Sequence, residues 1–172
     1  MSDDTTPARL QRPAQAKVPL ARILRELPVL ATAGPARALD IARATAELAF
    51  ARVLLARRTV RQLGIPDLSP APSLPLQPDH RQRADIARIS KAIAIAVPRV
   101  PWRSDCLVQC LAGRRWLAAL GIPARIQIGV KRETRDGLDD ALLAHAWLSV
   151  GEVVVTGGDI ADFAAFGDRP QP

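Results

Sequence analysis

Apolar residues in the first part of the chain recur with the spacing of helices, after a polar start. Residues 1–16 are polar and contain prolines, which predicts a disordered tail. Residues 17–64 are predicted to form a helical N-terminal region, in which 35–63 is one long alanine-rich helix that ends at Gly64. The stripe predicted to be buried on this helix consists of Ala46, Phe50, Val53 and Val60.

A proline-rich segment interrupts this helical pattern. Five prolines fall between residues 65 and 78, which excludes a regular helix or a central strand there. We therefore interpret 65–80 as an extended linker. After it, isoleucines spaced three and four residues apart predict another helix over about 81–97.

From residue 105 onwards the pattern changes from helix to strand. A helix over about 105–120 is followed by the alternating stretch "ARIQIGVK", which predicts a strand. The polar stretch 132–140 is predicted to be a loop, and "LLAHAWLSV" and "EVVVTG" predict two strands joined as a hairpin at Gly151. The expected fold class is α+β, with 81–172 forming a domain in which a cysteine-bearing helix packs on a small antiparallel sheet.

Composition limits the possible classes of protein. The 172 residues are 48% apolar but only 3% aromatic, so the core must consist mainly of Ala, Leu, Ile and Val. No stretch of about 18 apolar residues is free of charge and no secretory signal is evident, so we expect a cytoplasmic protein without a membrane span. Both thiols would stay reduced in that compartment. The sequence contains no dinucleotide-binding or phosphate-binding loop, and we expect no cofactor.

The net charge of +7 is unevenly distributed, since the basic excess lies entirely in residues 1–103. Such a surface can attract nucleic acid, anionic lipid or an acidic protein, and it is equally compatible with a solvated helix surface. A nucleic-acid-binding adaptor is the less favoured interpretation, because aromatic residues for base stacking are nearly absent from this basic part.

Both cysteines lie in the first turns of the helix predicted over about 105–120. Cys106 follows Ser104 and Asp105, either of which is a natural N-cap, and the unpaired N–H groups at a helix start favour a thiolate there. Cys106 is therefore a candidate nucleophile, although a single cysteine at such a position is more often a packing residue. Cys110 lies one turn further along the same face and is interpreted as a core residue.

A histidine and two aspartates could complete a catalytic triad with this cysteine. His145 lies on a predicted strand, and Asp159 and Asp162 follow the next strand. If the hairpin has a two-residue turn, a bulge at Gly157-Gly158 would bring Asp159 alongside His145. We therefore expect Asp159 to orient the imidazole, with solvated loop charges as the alternative interpretation of both aspartates.

Two tryptophans next to these candidates could shield a thiolate from water. Trp102 lies close to the cysteine and Trp147 close to the histidine, although both could simply be core residues. Metal binding is not expected, because two cysteines and one strand histidine lack a fourth ligand and a regular spacing.

Several short motifs follow the order found in a known family. They are Cys106-Leu107, Leu111-Ala112, the Gly-Ile-Pro-Ala stretch at 121–124 and the Ala-His-Ala-Trp stretch at 144–147. This arrangement resembles the transglutaminase-like cysteine-protease superfamily and, more narrowly, the standalone leader peptidases of bacterial lasso-peptide biosynthesis. The resemblance covers about 83–162, and Cys110 stands where a serine is common in that family.

The resemblance implies a transglutaminase/papain-like core and a cysteine peptidase. Such peptidases cut the leader from a ribosomally made precursor that a small leader-recognition protein presents, and an ATP-dependent cyclase then closes the macrolactam. Cys106 would attack the scissile carbonyl, His145 would transfer the proton, and Asp159 would orient His145. An amidase or acyl transferase of the same superfamily is the alternative, because it would use the same triad on another substrate.

Overall fold

A computed structural model describes residues 34–65, 77–135 and 138–165. The predicted tail, the start of the helical N-terminal region and most of the predicted linker lie outside these residues. The helices are α1 (Pro35–Arg57), α2 (His80–Ala96) and α3 (Cys106–Ala118), and the strands are β1 (Arg125–Arg135), β2 (Leu138–Val150), β3 (Val153–Thr156) and β4 (Ala164–Ala165). The α+β class expected from the sequence is confirmed.

The first helix is shorter than predicted and buries a different face. It ends at Arg57, and Thr59 then exchanges hydrogen bonds with Gln62 at the start of a short 3-10 helix. The predicted stripe is wrong for three of its members, since Ala46 is exposed, Phe50 is 46% exposed and Val53 is 49% exposed. The apolar residues that α1 buries against α2 and α3 are Ile41, Ala44, Leu48 and Ala51. The residues of α1 that are buried are therefore those on the side that faces both α2 and α3.

The second helix forms as its isoleucine spacing predicts. A capping box at its start joins Asp79 and Gln82, whose side chains each accept a hydrogen bond from the backbone N–H of the other. Its apolar stripe is buried and contains Ile86, Ile89, Ala92, Ile93 and Ala96. The helix therefore combines a local start signal with one continuous core-facing side.

The sheet is antiparallel, with the strand order β3-β2-β1-β4. The loop predicted over 132–140 is wrong, because β1 and β2 continue as paired strands through most of it. The sequence signal for this longer hairpin is the Asp136-Gly137 pair. The second hairpin turns at Gly151 as predicted, but its irregularity lies opposite Leu148 and Ser149 rather than at Gly157-Gly158.

One hydrophobic core joins the three helices to one face of the sheet. Its most deeply buried members include Leu48, Ile89, Trp116, Ile126 and Leu148. The helix before the predicted linker therefore shares a core with the elements that follow it, and the predicted domain boundaries stay a prediction. Within the three described ranges, no helix combines the length and apolar character needed to cross a bilayer.

Candidate active site

Cys106 is the first residue of α3, as the sequence predicts. Asp105 is the N-cap, and its Oδ1 accepts a hydrogen bond of 3.2 Å from the backbone N–H of Val108. The thiol of Cys106 is partly exposed. A partly exposed thiol at the first residue of a helix is placed where a nucleophile can reach a substrate.

Cys110 is a packing residue, which confirms its interpretation from the sequence. Its side chain is fully buried, and its Sγ lies 3.4 Å from Oγ1 of Thr156 on β3. Burial raises the pKa of the Cys110 thiol to about 12. The thiol is therefore neutral at physiological pH, so Cys110 is not a candidate nucleophile.

His145 lies on the sheet face that points away from α3. Leu148 faces α3, because a Cβ placed on Gly113 would lie only 2.7 Å from its Cδ2. Alternation along β2 therefore puts His145 and Trp147 on the opposite face. There, Nε2 of His145 lies 2.6 Å from the carbonyl oxygen of Gly157, the first residue after β3.

A stretch of chain that we call the crossing segment (157–163) covers this face of the sheet. It leads from β3 on one edge to β4 on the other and thus passes over β2 and β1. Its Phe163 ring lies 5.0 Å from the imidazole of His145, measured between centroids. Lys131 of β1 lies over the same phenyl ring and 3.5 Å from Asp162. The imidazole therefore lies beneath the segment, between its first and last residues.

Among the described residues, neither candidate acid forms a hydrogen bond or ion pair with the imidazole. Asp159 is exposed, and its Oδ1 accepts a hydrogen bond of 3.0 Å from the backbone N–H of Ala161. Asp162 is exposed and pairs with Lys131. The acceptor that contacts His145 is instead a backbone carbonyl. The role of Asp159 as the orienting acid stays a prediction.

The two tryptophans lie in different environments. Trp147 is 3% exposed, its indole N–H donates to Gln127, and its ring centroid lies 6.5 Å from that of His145. Trp102 is partly buried and packs against the hydrophobic core. Trp147 therefore lies near the imidazole and Trp102 against the core, and a shielding role stays a prediction for both.

Thr156 and Gly157 connect the surroundings of the two catalytic candidates. The Thr156 side chain contacts Cys110, one turn after Cys106 on α3, and the next carbonyl along the chain contacts His145. Among the described residues, no hydrogen bond joins the Cys106 thiol to the imidazole. The imidazole lies on the sheet face that points away from α3, so the structure does not bring the two candidates together.

Sequence reasoning does not identify two neighbours of the imidazole. The glycine pair at 157–158 indicates a bulge rather than a contact with His145, and no motif points to Phe163. A carbonyl acceptor leaves no signature in the sequence, since every residue carries one. The glycine pair at 157–158 is still the sequence signal for this contact, because glycines in strands mark unusual backbone conformations or the close approach of another group to the backbone.

A family of known proteins matches most of the chain. A family model described as the transglutaminase-like superfamily matches residues 44–167, nearly three quarters of the length. The match begins within α1 and includes Cys106, His145 and the crossing segment. No curated protein and no solved structure matches the chain.

Proposed function

Because the chain belongs to the transglutaminase-like superfamily, we propose that it is a cysteine peptidase that removes the leader from a ribosomally synthesised lasso-peptide precursor. The observation that carries the proposal is the position of Cys106, a partly exposed thiol on the first residue of a capped helix, inside the family match. The superfamily is typically catalytic and contains many cysteine proteases.

The proposed reaction is acyl transfer through a thioester. His145 takes the proton of the Cys106 thiol, and the sulfur attacks the scissile carbonyl. The tetrahedral intermediate collapses as His145 protonates the leaving amine, which departs with the C-terminal part of the precursor. Water, deprotonated by His145, then hydrolyses the thioester and regenerates the thiol. The backbone N–H of Cys106 is a natural donor to the oxyanion, since the first N–H groups of a helix have no partner within it.

The choice of substrate rests on the motifs that resemble lasso-peptide leader peptidases. By this resemblance, the partners are the precursor, a small leader-recognition protein and an ATP-dependent macrolactam cyclase. The proposal includes a cytoplasmic location, where the precursor is made and where a free Cys106 stays reduced.

A second candidate uses the same residues on another substrate. An amidase of this superfamily would hydrolyse a Cys106 thioester formed on that substrate, and an acyl transferase would pass the acyl group to another acceptor. A non-catalytic nucleic-acid adaptor is a weaker alternative, and it predicts a strongly salt-dependent affinity for DNA that does not depend on Cys106.

Product analysis tests the proposal. The purified protein is incubated with the precursor and the leader-recognition protein, with and without a small primary amine, and the products are identified by mass spectrometry. We expect a leader that ends in a free carboxylate in both reactions. A new amide on the leader would favour the acyl transferase, and an intact precursor in every reaction would contradict the peptidase.

A further inference from the structure

One side of α1 carries apolar residues that the helical core does not cover. Phe50 is 46% exposed and Val53 is 49% exposed, and Leu54 beside them is only partly buried. Phe50 and Val53 belong to the stripe that hydrophobic spacing predicts to be buried. A contiguous apolar stripe that the described residues leave exposed indicates an interaction surface.

A groove of about 220 Å³ lies between this stripe and α3, and we call it the α1–α3 groove. Its apolar lining residues are Phe50, Ala51, Leu54, Leu111 and Ala118, and its other two lining residues are Arg114 and Arg115. An apolar cavity of about 150 Å³ holds a group the size of benzene, so this groove has room for one or two apolar side chains. The lining therefore combines an apolar surface with positive charge, and it includes no carboxylate.

The aromatic ring of the groove is held in place by a buried carboxylate. The guanidinium of Arg115 lies over the ring of Phe50, 4.0 Å from its centroid. The same guanidinium donates a hydrogen bond of 3.1 Å to Oε2 of Glu47, a residue that is only 8% exposed. Aromatic and arginine side chains are the typical anchors of protein interfaces, and anchors that are already ordered lose little conformational entropy on binding.

The charge of the groove distinguishes between possible occupants. In a symmetric dimer the same surface of both copies meets, so a second copy of the chain would bring its own arginines towards Arg114 and Arg115. Like charges at such an interface are unfavourable, whereas an acidic partner complements them. A groove between two helices is also suited to a third helix, whose apolar residues at i, i+3 or i+4 and i+7 fill it.

We propose that the α1–α3 groove docks an acidic amphipathic helix of a partner protein, whose apolar side fills the groove while its carboxylates lie beside Arg114 and Arg115. The surface is on the helix that begins with the candidate nucleophile. With a rise of about 1.5 Å per residue, Leu111 and Ala118 lie about 8 Å and about 18 Å from Cys106 along the axis of α3. About five extended residues span this distance, so a docked partner can hold a peptide at the helix start.

Two synthetic helices test the groove itself. Both carry leucines along one side, and one has glutamates and the other lysines beside them. Their binding to the full chain is measured by fluorescence anisotropy, in a Cys106→Ala background that prevents cleavage. We expect the glutamate helix to bind at least about tenfold more tightly than the lysine helix. Phe50→Glu should weaken this binding at least about tenfold. Leu39→Glu is the matched control, because Leu39 is 70% exposed on the same helix and outside the groove.

Salt measures the contribution of the arginines. The affinity for the glutamate helix should fall as the sodium chloride concentration rises from about 50 to about 300 mM, since salt screens exposed charges. Arg115→Gln should reduce this dependence. Arg52→Gln removes an equal charge from an exposed position of α1 outside the groove and should leave the dependence unchanged. This pair of variants also decides the question if Phe50→Glu does not fold by circular dichroism.

The leader-recognition protein is then titrated against the same variants, and we expect the same ranking of affinities. The choice of this partner rests on the proposed function. Binding of the glutamate helix without binding of the leader-recognition protein would keep the groove as a docking site and contradict the proposed function. Equal affinities for the two synthetic helices, or an equal loss in Phe50→Glu and Leu39→Glu, would overturn the proposal. A dimer in light scattering that Phe50→Glu abolishes would also overturn it, because a second copy would then occupy the groove.

Discussion

The thiol of Cys110 lies 3.4 Å from the hydroxyl of Thr156, at the last residue of β3. This contact ties the first turns of α3 to the point where the chain leaves the sheet and begins to cross it. Cys110 therefore has a structural role that differs from that of Cys106, although the two cysteines are only one helical turn apart. The difference leads to separate predictions for the two thiols.

Cys106→Ala should abolish cleavage, whereas Cys110→Ser should keep activity within about tenfold of the wild type. Loss of a nucleophile typically costs about 10⁴-fold or more in turnover. Serine at position 110 can still hydrogen-bond to Thr156, and it leaves the helix start unchanged. The measurement is precursor cleavage by mass spectrometry, with circular dichroism to verify the fold of each variant. Equal activity of Cys106→Ala and the wild type would exclude Cys106 as the nucleophile.

The buried Cys110 thiol should make the protein lose stability in alkali. Burial raises its pKa from 9.0 to about 12, so the folded state favours the neutral thiol. This contribution is fully present below pH 9 and is lost as the pH rises from 9 towards 12, because the unfolded chain then releases the proton more readily. The free energy of unfolding should fall by about 2 kcal/mol by about pH 10.5 from this group alone.

Urea unfolding across this pH range measures the effect, with Cys110→Ser as the control that cannot titrate. The free energies of unfolding of the two proteins should diverge above pH 9, and that of the wild type should fall more steeply. If the free energy of unfolding falls in parallel for the two proteins, the Cys110 thiol remains accessible to solvent in the folded state.

Gly113→Ala should destabilise the protein by about 1–3 kcal/mol, even though alanine favours helices. The added Cβ would lie 2.7 Å from Cδ2 of Leu148 and 3.4 Å from Cδ1 of Ile93, and both of these side chains are buried. In a Leu148→Ala background, Gly113→Ala should lower the free energy of unfolding only slightly, because the space that the Leu148 side chain fills is then open. A double-mutant cycle by denaturant unfolding measures this coupling, and additive effects would contradict a direct contact.

Cleavage should be slow with the precursor alone and much faster when the leader-recognition protein is added. A partner that holds the leader next to the peptidase raises its effective concentration to roughly millimolar for a short tether. A time course with and without the partner, at the same precursor concentration, tests this expectation. The Cys106→Ala variant with partner serves as the blank, and identical rates in the two wild-type reactions would indicate a peptidase that needs no presentation.

Local sequence signals predict the elements that depend on local interactions. The isoleucines of α2, the Asp105 cap of α3 and the tight turn at Gly151 all follow from spacing and turn chemistry. The buried face of α1 does not follow, because two neighbouring helices determine it and leave Phe50 exposed. Hydrophobic spacing alone cannot identify those neighbours.

The surroundings of the candidate histidine are harder to predict. The strand that carries His145 and the position of Cys106 both follow from the sequence. The two-residue strand β4 exists only because Gly129 and Val130 of β1 pair with it, so no local pattern marks it. Its pairing directs the crossing segment over the imidazole. The carbonyl that His145 contacts is thus a product of tertiary structure.

The tryptophans of this protein can serve as intrinsic fluorescence probes. The chain has three tryptophans and no tyrosine, so its intrinsic fluorescence comes from tryptophan alone. Trp116 is fully buried in the helical layer, beneath the guanidinium of Arg43, whereas Trp147 lies against Gly157 at the start of the crossing segment. With Trp102 also replaced by phenylalanine, the emission in Trp116→Phe would follow closure of the crossing segment, and in Trp147→Phe it would follow assembly of the helices. A stopped-flow comparison of the two variants could therefore time these two events separately during refolding.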